Sequence, residues 1–233
     1  MVYRVKQADI TKVWVVIAAY NEEKIIAETV SNVLAHIGNV VVVDDCSIDD
    51  TAQKAFDAGA HVLSHPINLG QGAALQTGIE YALKNGSEYV VTFDADGQHS
   101  AAEIVPMLLA LHQSKSDIVL GSRFLGKTLN LPWHRRWILK SAIIFTRMTS
   151  GIKLTDVHNG FRIMTRRFCD QFEFRQNRMA HASEILNHIA SHKIKYIEYP
   201  VTITYSAYSI QKGQRSSNAL RVLMELFMGH ISK

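Results

Sequence analysis

The chain has 233 residues, of which 47% are hydrophobic and 20% charged, a balance that excludes disordered, collagen-like and coiled-coil proteins. Its two cysteines exclude a disulfide-rich scaffold and favour a reducing compartment. The formal charge of +4 is uneven, since residues 1–122 carry −8, residues 123–178 carry +9 and residues 179–233 carry +3. The acidic part indicates a cation site and the basic part a site for phosphate or an anionic surface, unless both are solvated faces.

Strands and helices alternate along the first half of the chain. The predicted strands are Val13–Ala18, Val40–Val43, His61–Leu63, Tyr89–Phe93 and Asp117–Leu120. The predicted helices are Glu22–Ile37, Asp49–Ala58, Ala73–Leu83 and Ala101–Gln113. Continuous apolar strands alternating with helices indicate a mainly parallel sheet covered on both faces. Ligands of such sheets bind beyond the carboxyl ends of the strands.

Carboxylates follow two of these strands. Asp94 and Asp96 come at the end of the fourth strand, two residues apart, and Gln98 follows them. Two such carboxylates repel each other, and a divalent cation removes the repulsion. An incomplete set of oxygen ligands is typical of Mg²⁺ or Mn²⁺ shared with a phosphate, whereas the alternative is a turn capped by aspartates. Asp45, after the second strand, is a candidate partner for a base or ribose.

A glycine-containing turn at Asn68–Ala74 leads into the third predicted helix. It lacks the Gly-Lys-Ser/Thr ending of a Walker loop and the GxGxxG spacing, so it is either a ligand-binding turn or a tight turn with close helix–sheet packing. The basic part carries no helix-turn-helix, RNP or zinc signature, so a nucleic-acid partner is not predicted.

Seven segments, in order over roughly residues 13–205, together resemble the family 2 inverting glycosyltransferases, and most closely their dolichyl-phosphate mannose synthase-like branch. The segments are Ala19–Glu23, Val43–Thr51, Asn68–Ala74, Asp94–His99, Gly121–Phe124, Asp156–Arg162 and Glu198–Val201. The resemblance implies an α/β fold of the GT-A type, a Rossmann-like three-layer sandwich with a mainly parallel sheet and C-terminal amphipathic or apolar helices. It also implies a single domain, 1–233, with a nucleotide-sugar-binding half at about 13–122, an acceptor-binding half at about 123–217 and a C-terminal helix at 218–233.

The resemblance implies roles for individual residues. The nucleotide sugar would be bound by Ala19, Tyr20, Glu22, Asp45, Asn68, Gly72, Asp94, Ala95 and Arg123. Mg²⁺ or Mn²⁺ would be held by Asp96 and Gln98. The acceptor or its phosphate would be bound by Arg135, Arg136, Asn159, Arg162, Lys212 and Arg215. The catalytic residues would be Asp94, Asp96 and Glu184, although Glu184 is equally an ordinary helix-surface glutamate.

The implied activity is that of a metal-dependent, inverting hexosyltransferase of cell-surface glycan biosynthesis. It would move a sugar from a nucleoside-diphosphate sugar, with UDP favoured over GDP, to a polyprenyl phosphate. The segment Tyr205–Ser216 lacks the Arg-x-x-Gly-x-Ser-Lys pattern of many relatives, which makes a lipid-linked saccharide an alternative acceptor. Two other functions stay open, a sugar-phosphate nucleotidyltransferase and a non-catalytic binding subunit of the same fold.

Two further segments bear on location. The predicted helix Trp133–Ser150 has a basic edge beside an aromatic-rich apolar face, which is typical of a helix on an anionic membrane, although a helix packed on the core is the alternative. The predicted helix Asn218–Ile231 is apolar almost all round, so it is buried in the fold, in a second copy as a homodimer, or in lipid. No stretch approaches the ~20 apolar residues of a membrane span, and no secretory signal is visible. We therefore expect a cytoplasmic protein, peripheral on the inner face of the membrane.

Overall fold

The computed structural model describes residues 9–131, 133–150, 152–157, 159–176, 181–206 and 208. The strands in this part of the chain are β1 (Val13–Ala19), β2 (Asn39–Asp44), β3 (His61–Ser64), β4 (Tyr89–Asp94), β5 (Ile118–Leu129), β6 (Arg162–Thr165) and β7 (Tyr196–Thr204). The α-helices are α1 (Ile26–Leu34), α2 (Thr51–Asp57), α3 (Gln71–Lys84), α4 (Ile104–Ser114), α5 (Trp133–Ser150), α6 (Arg166–Cys169) and α7 (His181–Ser191). Short 3-10 turns precede β1 and α4.

The strands form one sheet in the order β3-β2-β1-β4-β6-β5-β7. β6 runs antiparallel to its neighbours β4 and β5, and the other pairs are parallel. The predicted mainly parallel sheet is therefore confirmed. β6 and β7 were not among the predicted strands, and β5 continues to Leu129 past an irregularity in its pairing with β7 between Ser122 and Lys127.

Helices cover both faces of the sheet because β1 is apolar on both of its sides. Val15 and Ile17 pack into one core cluster, which also takes the apolar faces of α1 and α4. Trp14 and Val16 pack into a second cluster with residues of α3 and α7. The three-layer sandwich is thus confirmed, and it places the carboxyl ends of β1, β2 and β4 side by side.

Helix α1 begins at Ile26 rather than at Glu22 because the preceding residues form a turn at the edge of the sheet. Asn21 adopts a left-handed conformation, with φ of 54°. The Glu22 backbone N–H donates to Thr51 Oγ1 at 2.7 Å, and the Ile25 N–H donates to the Glu22 carbonyl at 3.0 Å. Residues 22–25, which were predicted to form the first turn of the helix, instead form a turn at the carboxyl end of the sheet.

Helix α5 has the predicted bounds and leaves part of its apolar surface exposed. Leu139 and Ile143 are buried, whereas Trp137 and Ile144 are exposed. None of the helices in the described residues is long and apolar enough to cross a bilayer. The predicted C-terminal helix at 218–233, and any homodimer formed through it, lie outside the described residues.

Candidate active site

A cavity of about 340 Å³ opens at the carboxyl ends of β1, β2 and β4, where the sequence places the candidate residues. Ten of those candidates line it: Ala19, Tyr20, Glu22, Asp45, Asp94, Ala95, Asp96, Gln98, Arg123 and Arg162. The other lining residues are Gly160, which belongs to the family-like segment Asp156–Arg162, and six residues without a predicted role, Ala18, Gln71, Ala74, His99, Ala182 and Ile203. The cavity therefore brings residues from both the acidic and the basic part of the sequence together.

The loops after β1 and β2 hold each other in place at the rim of the cavity. The Asn21 N–H donates to Ser47 Oγ and the Ile48 N–H donates to Asn21 Oδ1, both at 2.9 Å. Glu22, just inside the rim, accepts a hydrogen bond at 2.8 Å from the hydroxyl of Tyr208. Burial, followed by the hydrogen bond to Glu22 and then its charge, raises the pKa of the Tyr208 phenol. Tyr208 thus brings the chain after β7 back to the β1 end of the site.

Asp45 is buried, and its carboxylate organises the glycine-containing turn. Oδ1 accepts from His65 Nδ1 at 2.8 Å and from the Leu69 N–H at 2.9 Å, while Oδ2 accepts from the Gly70 N–H at 2.6 Å. The Asn68 side chain donates to the Asp45 carbonyl at 3.1 Å. Asp45 lines the cavity while it fixes the entry to α3, and its predicted contact with a base or ribose stays a prediction.

Asp94 lies at the centre of the site, against groups from three other elements. His99 Nε2 donates to Asp94 Oδ2 at 2.8 Å, and the Gln71 side-chain amide lies 3.4 Å from Oδ1. Gly160 faces the carboxylate so closely that a Cβ atom there would lie 2.3 Å from Oδ1. The orientation of Asp94 therefore depends on α3, on the loop after β4 and on the segment before β6.

Asp96 and Gln98 have the oxygen chemistry that a divalent cation needs. Burial, followed by the charge of Asp94, raises the pKa of Asp96 to about 6, as expected for a buried carboxylate with a second carboxylate nearby. The Gln98 side chain lies beside Asp96, with Nε2 2.6 Å from Oδ2. No group of three or more Asp, Glu, His or Cys side chains arranged for a metal occurs in the described residues. A set of one carboxylate and one amide oxygen fits Mg²⁺ or Mn²⁺ that is completed by phosphate oxygens.

Arg123 is held rigidly at the cavity wall. Its Nε donates to Asp156 Oδ2 at 2.6 Å, and its Nη1 donates to the Tyr205 hydroxyl at 2.7 Å. Burial alone lowers the pKa of Arg123, but Asp156 and Tyr205 outweigh it and raise that pKa above its usual value. Asp156 is in turn fixed by Glu198 of β7, which accepts the N–H groups of Thr155 and Asp156 at 2.8 and 3.2 Å. The guanidinium therefore keeps its positive charge at the cavity wall.

Arg162 is a second buried cation of the cavity wall. Burial lowers its pKa to about 10, against the opposing charges of Asp94 and Asp156, so the side chain is protonated at neutral pH. Its Nη1 has no hydrogen-bond partner within the described ranges, and the same is true of the buried amide nitrogen of Asn159. A buried donor without a partner costs free energy, so a polar ligand group at this position would be stabilising.

Comparison with known proteins decides the family. A model of the family described as "Glycosyl transferase family 2" matches residues 14–172 of the chain. The protein belongs to glycosyltransferase family 2. The matched range contains β2 to β6, all of β1 except its first residue, and all ten of the predicted residues that line the cavity; the lining residues Ala182 and Ile203 lie beyond it.

Relatives within the family match over nearly the whole chain. An uncharacterized protein of Methanocaldococcus jannaschii is 32% identical over 94% of this chain and 93% of its own. A UDP-N-acetylglucosamine–dolichyl-phosphate N-acetylglucosaminyltransferase of Methanococcus voltae is 27% identical over 95% of this chain and 97% of its own. Among solved structures, glucosyl-3-phosphoglycerate synthase of Mycobacterium tuberculosis with Mn²⁺, UDP and phosphoglyceric acid has a TM-score of 0.68 at 17% identity, covering 92% of this chain and 78% of its own. The predicted GT-A fold is thus confirmed.

Several predicted site residues of this glycosyltransferase do not reach the cavity. The Glu184 carboxylate accepts the N–H groups of Arg175 and Gln176, each at 3.0 Å, so it stabilises the segment before α7, and its catalytic role stays a prediction without geometric support. Asn68, Gly72 and Asn159 are not among the residues that line the cavity. Arg135 and Arg136 lie in α5, where Arg136 is exposed. Lys212 and Arg215 lie outside the described residues.

The structure adds Gln71 and His99, which sequence reasoning missed, and Gly160 of the family-like segment Asp156–Arg162 lies at the cavity with them. Gln71 and Gly160 stand inside two of the family-like segments, and His99 ends a third. Their location within these segments was the one indication in the sequence that they belong to the site. Nothing in the local sequence shows that their side chains and backbone meet at Asp94.

Proposed function

We propose that this glycosyltransferase moves a sugar, with inversion, from a UDP-sugar to a polyprenyl phosphate in cell-surface glycan biosynthesis. The observation that carries the proposal is the cavity itself, which is lined both by the carboxylates Asp94 and Asp96 and by the buried cations Arg123 and Arg162. Carboxylates that can hold a cation, facing guanidinium groups that can bind phosphate oxygens, suit a substrate with a diphosphate.

The relatives' names support the same substrates. The Methanococcus voltae relative is named for a UDP-sugar and dolichyl phosphate, and an undecaprenyl-phosphate mannosyltransferase of Micrococcus luteus is 32% identical over 65% of each chain. These names support our proposal that the chain belongs to the dolichyl-phosphate mannose synthase-like branch. They also favour glycosyl transfer over the nucleotidyltransferase alternative.

We propose Asp96 and Gln98 as the ligands of a Mg²⁺ or Mn²⁺ ion, because they are adjacent oxygen-bearing side chains at the cavity floor. Bound there, the ion would stabilise the negative charge that develops on the leaving diphosphate. Arg123, locked by Asp156 and Tyr205, would bind the phosphates from the other side. The Mycobacterium tuberculosis structure of the same fold contains Mn²⁺ together with UDP, which supports a divalent cation as part of our proposal.

Whether the acceptor is a phosphate or a hydroxyl group depends on whether the site supplies a general base. A phosphate acceptor is already a nucleophile, whereas a hydroxyl acceptor needs a base to take its proton. Glu184, the candidate base, is occupied by backbone N–H groups of another segment. A polyprenyl phosphate therefore fits the described site better than the hydroxyl of a lipid-linked saccharide.

We also propose that the protein works at the cytoplasmic face of a membrane, as its lipid acceptor requires. Helix α5 supports this, because Trp137 and Ile144 are exposed on it beside the exposed cations Arg136 and Lys140. Aromatic and aliphatic side chains next to cations are the combination that binds anionic lipid surfaces.

Calorimetry with UDP and with GDP, each with and without Mn²⁺, tests the donor half of the proposal. We expect UDP to bind only with Mn²⁺ and Asp96→Ala to abolish that binding. Tight UDP binding that does not depend on Mn²⁺ and that persists in Asp96→Ala would overturn the donor half of the proposal.

Radiolabelled UDP-sugars incubated with membrane lipid extract test the acceptor half of the proposal. A sugar on a polyprenyl monophosphate is released by mild acid, whereas a glycoside is not.

A further inference from the structure

The side chain of His99 is buried beside Asp94, and none of the roles described above is assigned to it. Its side chain is 3% exposed, and its Nε2 lies 2.8 Å from Asp94 Oδ2. Because an ionised carboxylate only accepts hydrogen bonds, Nε2 is the nitrogen that carries the proton. His99 therefore donates a hydrogen bond to Asp94 from an almost fully buried side chain at the cavity wall.

Packing and backbone contacts fix the position of this imidazole. Its ring lies against Phe93 and Phe161, with centroids 5.4 and 5.3 Å away. The backbone of His99 pairs with Ile203, and the neighbouring Gln98 carbonyl accepts the Thr204 N–H at 3.0 Å. Since both ring and backbone are held, the imidazole stays aimed at Asp94.

We propose that His99 is a positioning residue that sets the orientation of the Asp94 carboxylate for the donor substrate; the inference rests on the function proposed above. The charge of Asp94 is repelled by that of Asp96 and attracted by that of the buried Arg162. The hydrogen bond from His99 holds Oδ2 and thereby opposes rotation of the carboxylate. Oδ1 is left on the side of Gln71, at the cavity wall.

The two ring nitrogens give this inference a specific chemical test. Nε2 makes the bond to Asp94, whereas the buried Nδ1 has no hydrogen-bond partner in the part of the chain that the structure describes. A glutamine side chain can place its amide nitrogen near the position of Nε2, but an asparagine amide reaches only the position of Nδ1. His99→Gln should therefore retain the function of His99, and His99→Asn should lose it.

The experiment measures the dissociation constants of UDP-glucose and UDP-N-acetylglucosamine with Mn²⁺ by calorimetry, on the full chain. We expect His99→Asn to weaken whichever sugar nucleotide binds the wild type by about tenfold, and His99→Gln to stay within about threefold of wild type. His99→Phe keeps an aromatic ring between Phe93 and Phe161 but has no hydrogen-bond donor, so its dissociation constant should equal that of His99→Asn. It replaces His99→Asn in the experiment if the His99→Asn protein does not fold. His112, half-buried on α4 with its ring against Tyr89, supplies the controls His112→Asn and His112→Gln, which should bind as wild type does.

A double-mutant cycle with Asp94→Asn separates positioning from a general loss of structure. If His99 acts through Asp94, His99→Asn should cost little further affinity once Asp94 is replaced. Equal losses in both backgrounds, or equal binding by His99→Asn and His99→Gln, would overturn the inference alone. A wild-type protein that binds neither sugar nucleotide would overturn the proposed function and this inference with it.

Discussion

Gly160 and Asp94 approach each other so closely that no side chain fits between them. A Cβ atom on Gly160 would lie 2.3 Å from Asp94 Oδ1 and 2.5 Å from Oδ2. The φ angle of Gly160 lies outside the left-handed region. The glycine is therefore needed for space, and its neighbour is the carboxylate at the centre of the site.

Gly160→Ala should displace the Asp94 carboxylate and leave the rest of the fold intact. We expect about a tenfold weaker dissociation constant for a UDP-sugar with Mn²⁺, equivalent to about 1.4 kcal/mol of binding free energy, measured by calorimetry. Gly38→Ala is the matched control, because no atom lies within 4 Å of the Cβ it would add. Equal affinities for the Gly160→Ala and Gly38→Ala proteins would show that Asp94 does not contact the donor.

The raised pKa of Asp96, about 6, gives a stability change with pH in the metal-free protein. An unfolded chain releases this proton near pH ~4, so between about pH 4 and pH 6 the folded state holds more protons. The free energy of unfolding therefore falls as the pH rises through this window. Asp96→Asn does not titrate, so its stability relative to wild type should increase from pH 4 to pH 7.

Urea unfolding in EDTA at pH 4, 5, 6 and 7 measures this difference. Asp57→Asn, at an exposed position on α2, controls for the loss of a surface carboxylate. Added Mn²⁺ should stabilise wild type at pH 7 and leave Asp96→Asn unchanged, because only the wild type keeps the carboxylate ligand. A stability difference that stays constant with pH would contradict the prediction.

The parallel part of the sheet and the place of the site could be predicted because both depend on local patterns. β1, β2 and β4 are apolar runs long enough to stand out, and the carboxyl ends of adjacent parallel strands necessarily meet. β6 gave no such signal, since it has four residues, begins with Arg162 and runs antiparallel. Its pairing depends on β4 and β5, which are distant in sequence.

Residue types at the site were predictable, but their partners were not. Asp45 was expected to face a ligand, yet three of its hydrogen bonds go to the turn at residues 65–70. Glu184 was a candidate base, yet it caps backbone N–H groups near residue 175. His99 ends the family-like segment Asp94–His99, but the orientation of its ring toward Asp94 depends on packing against Phe161, which is 62 positions away in the sequence. Such contacts are products of tertiary structure and leave no local pattern.

Tyr205 is almost completely buried and fixes the guanidinium of Arg123. Tyr205→Phe should lower the free energy of unfolding by about 1–3 kcal/mol, the usual cost of leaving a buried charged donor without its partner. It should also weaken UDP binding with Mn²⁺, because Arg123 would no longer be held at the cavity wall. Urea unfolding and calorimetry measure the two effects.

The control for Tyr205 is Tyr199→Phe, since Tyr199 is on β7, is only half-buried and makes no hydrogen bond through its hydroxyl within the described ranges. If Tyr205→Phe and Tyr199→Phe have the same small effect on unfolding, Tyr205 does not support Arg123. Loss of stability with unchanged UDP binding would instead show that Arg123 has no part in nucleotide binding.

The exposed side chains of α5 make membrane attachment testable on the folded protein. Trp137 and Ile144 are 66% and 59% exposed, and they lie seven residues apart, which places them on the same face of the helix. The Lys140 ammonium lies 5.7 Å from the centre of the Trp137 ring. Trp137→Glu with Ile144→Glu should therefore remove apolar contact and add repulsion from anionic lipid at the same surface.

Co-sedimentation with phosphatidylglycerol vesicles measures this attachment. We expect the wild type to sediment with the vesicles and the Trp137→Glu/Ile144→Glu variant to stay in solution. Sedimentation of the wild type should decrease at high salt, because screening weakens the attraction of Arg136 and Lys140 to the anionic lipid. Ile10→Glu with Phe56→Glu adds the same charge at exposed apolar positions before β1 and on α2, so a protein that binds through α5 should keep sedimenting with this change. Equal losses from both double variants would mean that net charge, and not the surface of α5, governs binding to the vesicles.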